Sequence, residues 1–201
     1  VEGSHFAERC QGFIIIALGE SIVVTGATAA GAGLTSTVVL CLIVAFLQTA
    51  ALWWLYFGAA AAHSRAVMFA SEDPGRLARD AYTYLHVPIV AGIIASAVGD
   101  DLLIAHPNDP LHGIGLAMLL GGPALYLLGE NLFRWRMSGT VNPKRFAIAG
   151  IIVVLALIAP HISALALSAI VCGLLIALVV WEQGTGRSAA RPRERPLTST
   201  E

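Results

Sequence analysis

Ser4–Thr28 reads SHFAERCQGFIIIALGESIVVTGAT, a stretch of membrane length with His5, Glu8 and Arg9 at its start and Glu20 deep in its apolar run. Crossing the hydrocarbon core of a bilayer takes about 20 apolar residues of helix. An ionisable group held there costs at least ~2.5 kcal/mol unless it is paired or wetted. The stretch therefore predicts a membrane helix whose charged residues are functional candidates. Composition extends that reading to the whole chain, with 57% hydrophobic and 12% charged residues and a mean hydropathy of +0.76. A soluble domain with so few charges would aggregate, and a disordered chain would lack the apolar content. The formal net charge of −1 singles out no partner, because in a multi-pass protein the placement of charge matters more than its sum.

Apolar runs approaching bilayer thickness occur at about His5–Gly26, Thr37–Ala62, Leu85–Leu103, Leu111–Phe133, Phe146–Ala159 and Ala164–Trp181. They predict an all-α, polytopic bundle of about six spans over residues 1–183, followed by a basic, disordered cytoplasmic tail over 184–201. The fifth run is short, but Pro143 suits a helix start, and the sequence from Pro160 to Ser163 suits a tight turn closing a helical hairpin. Segment Pro74–Tyr84 reads either as a short amphipathic helix along the inner surface or as a solvated loop. The chain begins with Val, has no signal peptide and enters a helix at once, which reads as a fragment or the second half of a longer protein.

The twelve Lys and Arg residues all fall on alternate connections or beside them. Arg65, Arg76 and Arg79 separate spans two and three, and Arg134, Arg136, Lys144 and Arg145 separate four and five; Arg187, Arg191, Arg193 and Arg195 follow span six. By the positive-inside rule both ends are expected in the cytoplasm of a bacterial inner membrane. Cys10, Cys41 and Cys172 lie within spans at irregular spacing and read as small hydrophobes, not as a disulfide or metal framework.

HFAER (His5–Arg9) followed by IIIALGESI (Ile14–Ile22), YTYLHVPIVAGIIASAVGDD (Tyr82–Asp101) and GGPALYLLGENLFRWR (Gly121–Arg136) resembles, in that order, the signature segments of the low temperature requirement A family of bacterial membrane proteins. The resemblance covers most of the chain from His5 to about Arg136. It implies an additional N-terminal membrane half bearing an ELFFDLVFV-like acidic segment, and so a partner for this chain. It implies no settled reaction, since the family name records a growth phenotype.

The topology gathers polar residues into two layers. The inner layer holds His5, Glu8 and Arg9 of span one, His63 ending span two, His86 opening span three and Glu130 one turn before Arg134. Three readings of it compete: a buried ion-pair network that fixes packing, a proton or ion relay, and a metal site built from His5, Glu8, His63, His86 or Glu130. The outer layer holds Glu20, Asp100, Asp101, Asp109 and His112. Solvation near a helix end is the expectation for all of these except Glu20, which sits among apolar neighbours.

Gly12, Gly19 and Gly26 recur at seven-residue steps on the first helix and predict a close packing face. The triplet Leu-Gly-Glu occurs at Leu18–Glu20 and again at Leu128–Glu130, a spacing compatible with a weak three-plus-three inverted repeat. No P-loop, GxSxG, HExxH or dinucleotide fingerprint is present, so neither an enzyme nor a cofactor is expected. No nucleic-acid partner is expected either, and an oligomer is compatible with the sequence. The leading expectation is transport of a small ion or polar solute, with proton coupling as one form of it, through Glu8, Arg9, Glu20, His86 and Glu130, with His5, His63, Asp100 and Asp101 as secondary candidates. The alternatives are a membrane scaffold or stress-adaptation factor whose buried charges only specify packing and, after that, a metal-dependent membrane enzyme.

Overall fold

The computed structural model describes residues 3–58 and 79–189, and every regular element among them is helical. In chain order these are α1 (Gly3–Ala32), α2 (Ser36–Phe57), α3 (His86–Ala105), α4 (Gly113–Ser138), α5 (Pro143–Val154) and α6 (Ala164–Ala189). A π-helical turn at Arg79–Tyr84 leads into α3, and 3-10 turns at Leu155–Leu157 and Ala159–His161 follow α5. Five helices, all but α5, are long and apolar enough to cross a membrane. The outward surface is apolar as well, with Phe13, Ile16, Val23, Phe46, Ile94 and Leu157 all exposed. Lipid is the solvent that such a surface suits.

Local chemistry explains the helix ends. Gly33, at a φ of 83°, turns the chain after α1, and the Thr35 hydroxyl caps α2 by accepting from Val38 N at 3.3 Å. Asn142 caps α5, with Pro143 in the first turn as the sequence predicts. At the start of α6 the amides of Ala164 and Leu165 donate to the carbonyls of Asp109 and Pro107, which pins the α3–α4 connection against it. Helix α6 itself runs past Trp181 to Ala189, so the first residues assigned to the tail continue the helix; residues 190–201 lie outside the described residues. Of Pro74–Tyr84, only the π-helical turn is described.

Successive helices run antiparallel, which places the described Arg9, Arg134, Arg136, Lys144 and Arg145 at one end of the bundle, the basic end. Helix α3 is central, packing against α1, α2 and α4, while α5 packs on α4 and α6 on α2. The α3–α4 contact is the tightest. A Cβ added at Gly92 would meet Tyr126 N at 2.5 Å, and one added at Gly99 would meet the Leu119 Cα at 2.7 Å. On α4 an added Cβ at Gly122 would meet Ser96 N at 2.4 Å and one at Gly129 would meet Ile89 N at 3.0 Å. Glycines seven residues apart thus let the two backbones touch.

The same spacing on α1 does not act this way. An added Cβ at Gly12, Gly19 or Gly26 meets nothing within 4 Å among the described residues. Helix α1 turns Ile14, Leu18, Ser21, Thr25 and Ala29 inward, and this rotation leaves the glycine face on the outside.

Candidate functional site

Arg145 is the centre of the basic end. It lies on α5 at i, i+3, i+4 and i+7 spacing with Ile148, Ala149 and Ile152, so the stripe that buries those residues buries the guanidinium too, leaving it 2% exposed. Its Nε and Nη2 donate to the two carboxylate oxygens of Glu182 on α6, at 2.8 and 2.9 Å. Nη1 donates to Glu130 of α4, and Nη2 also donates to the Leu55 carbonyl of α2 at 3.0 Å. Four of the five guanidinium donors are thereby placed. The Leu55 carbonyl belongs to the last turn of α2, where oxygens lack helical partners and a cation is favoured. One arginine therefore ties four helices together.

The α4–α5 connection fixes that arginine in place. Gly139 ends α4 at a φ of 67°, and Asn131 and Asn142 bond reciprocally, Asn142 N donating to Asn131 Oδ1 at 2.9 Å and Asn131 Nδ2 to the Asn142 carbonyl at 3.3 Å. Asn142 Nδ2 also donates to Glu182 Oε1 at 2.8 Å. Lys144 reaches over the Trp181 ring, 4.8 Å from its centroid. Two carboxylates face one guanidinium, and Arg134 lies near enough for its charge to act on Glu130. Glu130 is 1% exposed, and its Oε1 has no hydrogen-bond partner among the described residues.

Beside this network His86 is buried, its Nε2 2.8 Å from the Tyr56 hydroxyl. Its ring stacks on Tyr82 with centroids 5.2 Å apart and meets Phe133 edge to face at 4.9 Å. Arg9, Cys10, Tyr82 and His86 line an open groove of about 610 Å³ between α1 and α3. Arg9 and His86 thus share a groove, as the inner layer predicts. The Arg9–Glu130 pairing that a shared inner cluster implies does not form; Arg145 is the partner of Glu130.

The remaining candidates are dispersed. Glu8, Arg9 and Glu20 are all exposed on α1, so Glu20 faces away from the bundle. The two Leu-Gly-Glu triplets accordingly sit in opposite environments: Glu20 is outward, whereas Gly129 packs on Ile89 and Glu130 is buried. His63 and the His5 side chain lie outside the described residues. No group of three or more His, Cys, Asp or Glu positioned to hold a metal occurs among the described residues.

Asp100 departs from its expected solvation. It is 2% exposed and accepts from Gln48 Nε2 at 3.3 Å, because α3 turns it inward on the stripe of Ile89, Ile93, Ser96 and Leu103. Asp101 is half-buried and accepts from the Thr28 hydroxyl of α1. Asp109 and His112 are exposed, as expected.

A multi-pass helical bundle with a buried arginine–carboxylate network at its basic end defines an integral membrane protein with charge inside its walls. The chain belongs to the bacterial low temperature requirement A protein family, whose model matches residues 1–180. It is 35% identical over 185 residues to an uncharacterized protein of Rhizobium meliloti (strain 1021), covering 90% of this chain and 44% of that protein. The chain thus spans less than half the length of that relative. No solved structure matches it.

Proposed function

We propose that this bundle takes part in moving a small ion or polar solute across a bacterial inner membrane, with no covalent chemistry of its own. The observation that carries this reading is the charge network of Arg145, Glu130 and Glu182, set in apolar helices with one Glu130 oxygen left without a hydrogen bond among the described residues. Buried ionisable groups in membrane helices are expensive and mark ion or proton pathways. In this reading Glu130 is the titrating carboxylate and Arg145 its fixed countercharge. His86 receives protons near the basic end, and Arg9 attracts anions into the groove it shares with His86. The distribution of Lys and Arg supports a cytoplasmic location for that end and for both ends of the chain.

The outward face of α1, with Glu8, Arg9, Glu20 and the glycine stripe, is where we place further membrane segments of the full-length protein. The support for that placement is the apolar, glycine-bearing and outward face of α1, and the greater length of the R. meliloti relative supports only that further segments exist. A scaffold role is the second reading, favoured by how completely the Arg145 donors are placed. Proteoliposomes of the full-length protein, driven by a pH gradient, separate the two. Transport expects flux in the wild type and its loss in a folded Glu130→Gln variant, whereas a scaffold expects no flux in either across varied ions.

A further inference from the structure

A second polar site lies away from the basic end. Asp100 of α3 is buried, and its described hydrogen-bond partner is the neutral amide of Gln48 on α2, itself 0% exposed. No ion pair reaches Asp100 among the described residues, whose lysines and arginines are at the basic end. Two further buried oxygens lack hydrogen-bond partners among the described residues: Gln48 Oε1, on the amide that touches Asp100, and the Ser168 hydroxyl of α6, at 0% exposure.

Depth brings Ser168 level with Asp100. Asp100 is five residues from the distal end of α3 and Ser168 four from that of α6, about 7.5 and 6 Å along the axes. The backbone bonds from Ala164 and Leu165 to Asp109 and Pro107 hold those two ends together. Cys172, one turn from Ser168, is close enough to feel the charge of Asp100, as is Cys41 of α2. The other facing groups are Asp101, held by Thr28 of α1, and the backbone of Met118 and Leu119 on α4 against Gly99.

We propose that Asp100, Gln48 and Ser168 form a binding site for one monovalent hard cation of the sodium class. Asp100 supplies the charge, and Gln48 Oε1 and the Ser168 Oγ supply neutral oxygen ligands. An orphaned acceptor beside an unpaired carboxylate calls for a positive guest. A proton on Asp100 would let the carboxyl donate to Gln48 Oε1 but would leave the Ser168 Oγ unmatched, whereas a cation can be shared by all three oxygens. Oxygen ligands select a hard ion, and a single carboxylate balances one charge, whereas a divalent ion would leave excess positive charge in an apolar bundle. This deepens the transport reading by naming a cargo class and rests on it for movement, but not for binding.

The test is equilibrium binding of ²²Na⁺ to the full-length protein in nanodiscs, with Tm measured as sodium replaces choline at constant ionic strength and pH. Saturable binding of one sodium per chain is expected, with a Tm that rises with sodium. Asp100→Asn should abolish both, and Ser168→Ala, which removes one oxygen and barely alters volume, should weaken binding about tenfold. If Asp100→Asn fails to fold, the Ser168→Ala titration decides. No sodium-specific binding in the wild type, unchanged binding in Ser168→Ala, or a Tm that responds to pH and not to sodium would overturn the proposal. Because binding is read without flux, a protein that binds sodium but moves nothing would count against transport alone.

Discussion

Replacing Arg145 by Met removes four hydrogen bonds, three of them to carboxylates, and leaves Glu130 and Glu182 facing each other without their guanidinium. A hydrogen bond to a charged group contributes ~1.5–3 kcal/mol, so simple addition gives a loss of roughly 5–10 kcal/mol. That sum is too large. Glu130 can take up a proton, and Glu182, 13% exposed, can recruit water. Breaking a buried pair by deleting one partner costs about 3–5 kcal/mol, the range expected here. For a chain of this size that corresponds to a fall in Tm of about 6–20 °C, readable by thermal scanning of the purified protein in a mild detergent. Adding Glu130→Gln and Glu182→Gln to Arg145→Met should recover most of the loss, since a neutral site no longer holds an uncompensated charge. Arg145→Lys should fall between, because an ammonium keeps the charge but lacks the planar fork that grips both Glu182 oxygens. An Arg145→Met protein melting within about 2 °C of wild type, or a triple variant no more stable than the single one, would show that the network does not hold the four helices together.

Three further outcomes follow from the packing. Gly99→Val should destabilise the bundle by about 1–3 kcal/mol, because its Cβ would need the space held by the Leu119 Cα, whereas Gly19→Val on the open face of α1 should leave the melting of this helical domain unchanged; equal effects at the two sites would contradict the α3–α4 contact. With a membrane-permeant maleimide under native conditions, half-buried Cys10 should label well before Cys41 and Cys172, which are 0% and 4% exposed; early labelling of Cys41 would count against the observed packing of α2. Glu20→Gln should leave the folding and Tm of this helical domain by itself unchanged, since the carboxylate makes no described contact within the bundle, and a fall comparable to that of Arg145→Met would place Glu20 inside.

The spans were legible because apolar length and Lys/Arg placement are one-dimensional signals. The same reading put Glu130 and His86 in one inner layer, but did not tell which side chains of that layer are buried, since Glu8 and Arg9 belong to it and are exposed. Nor did it give the partner of Glu130: although Pro143 already marks the helix start, the apolar run begins only at Phe146, so Arg145 reads as one of the basic residues between spans four and five. Its spacing with Ile148, Ala149 and Ile152 was the available clue. Asp100 likewise shares the stripe of Ile89, Ile93, Ser96 and Leu103, but proximity to a helix end argued for water, and rotation about the axis outweighed depth. The glycines posed the reverse difficulty. Seven-residue spacing occurs in α1, α3 and α4 alike, and only the α3 and α4 sets meet a neighbour as close as a backbone. Which set is used depends on how each helix is turned, and periodicity alone does not settle that.

The touching backbones of α3 and α4 also constrain how this molecule can move. With no layer of side chains between Gly92 and Tyr126 or between Gly99 and Leu119, nothing is available to swap rotamers and let one helix ratchet past the other. The pair behaves as a single stiff plank. Any rocking must therefore open along the pair's boundaries with the other helices, α1, α2, α5 and α6. Asp100 and Gln48 stand on opposite banks of the boundary with α2, and Glu130 is tied to Glu182 of α6 only through Arg145 of α5, so a stroke that opened toward α2 or α6 would have to part polar interactions.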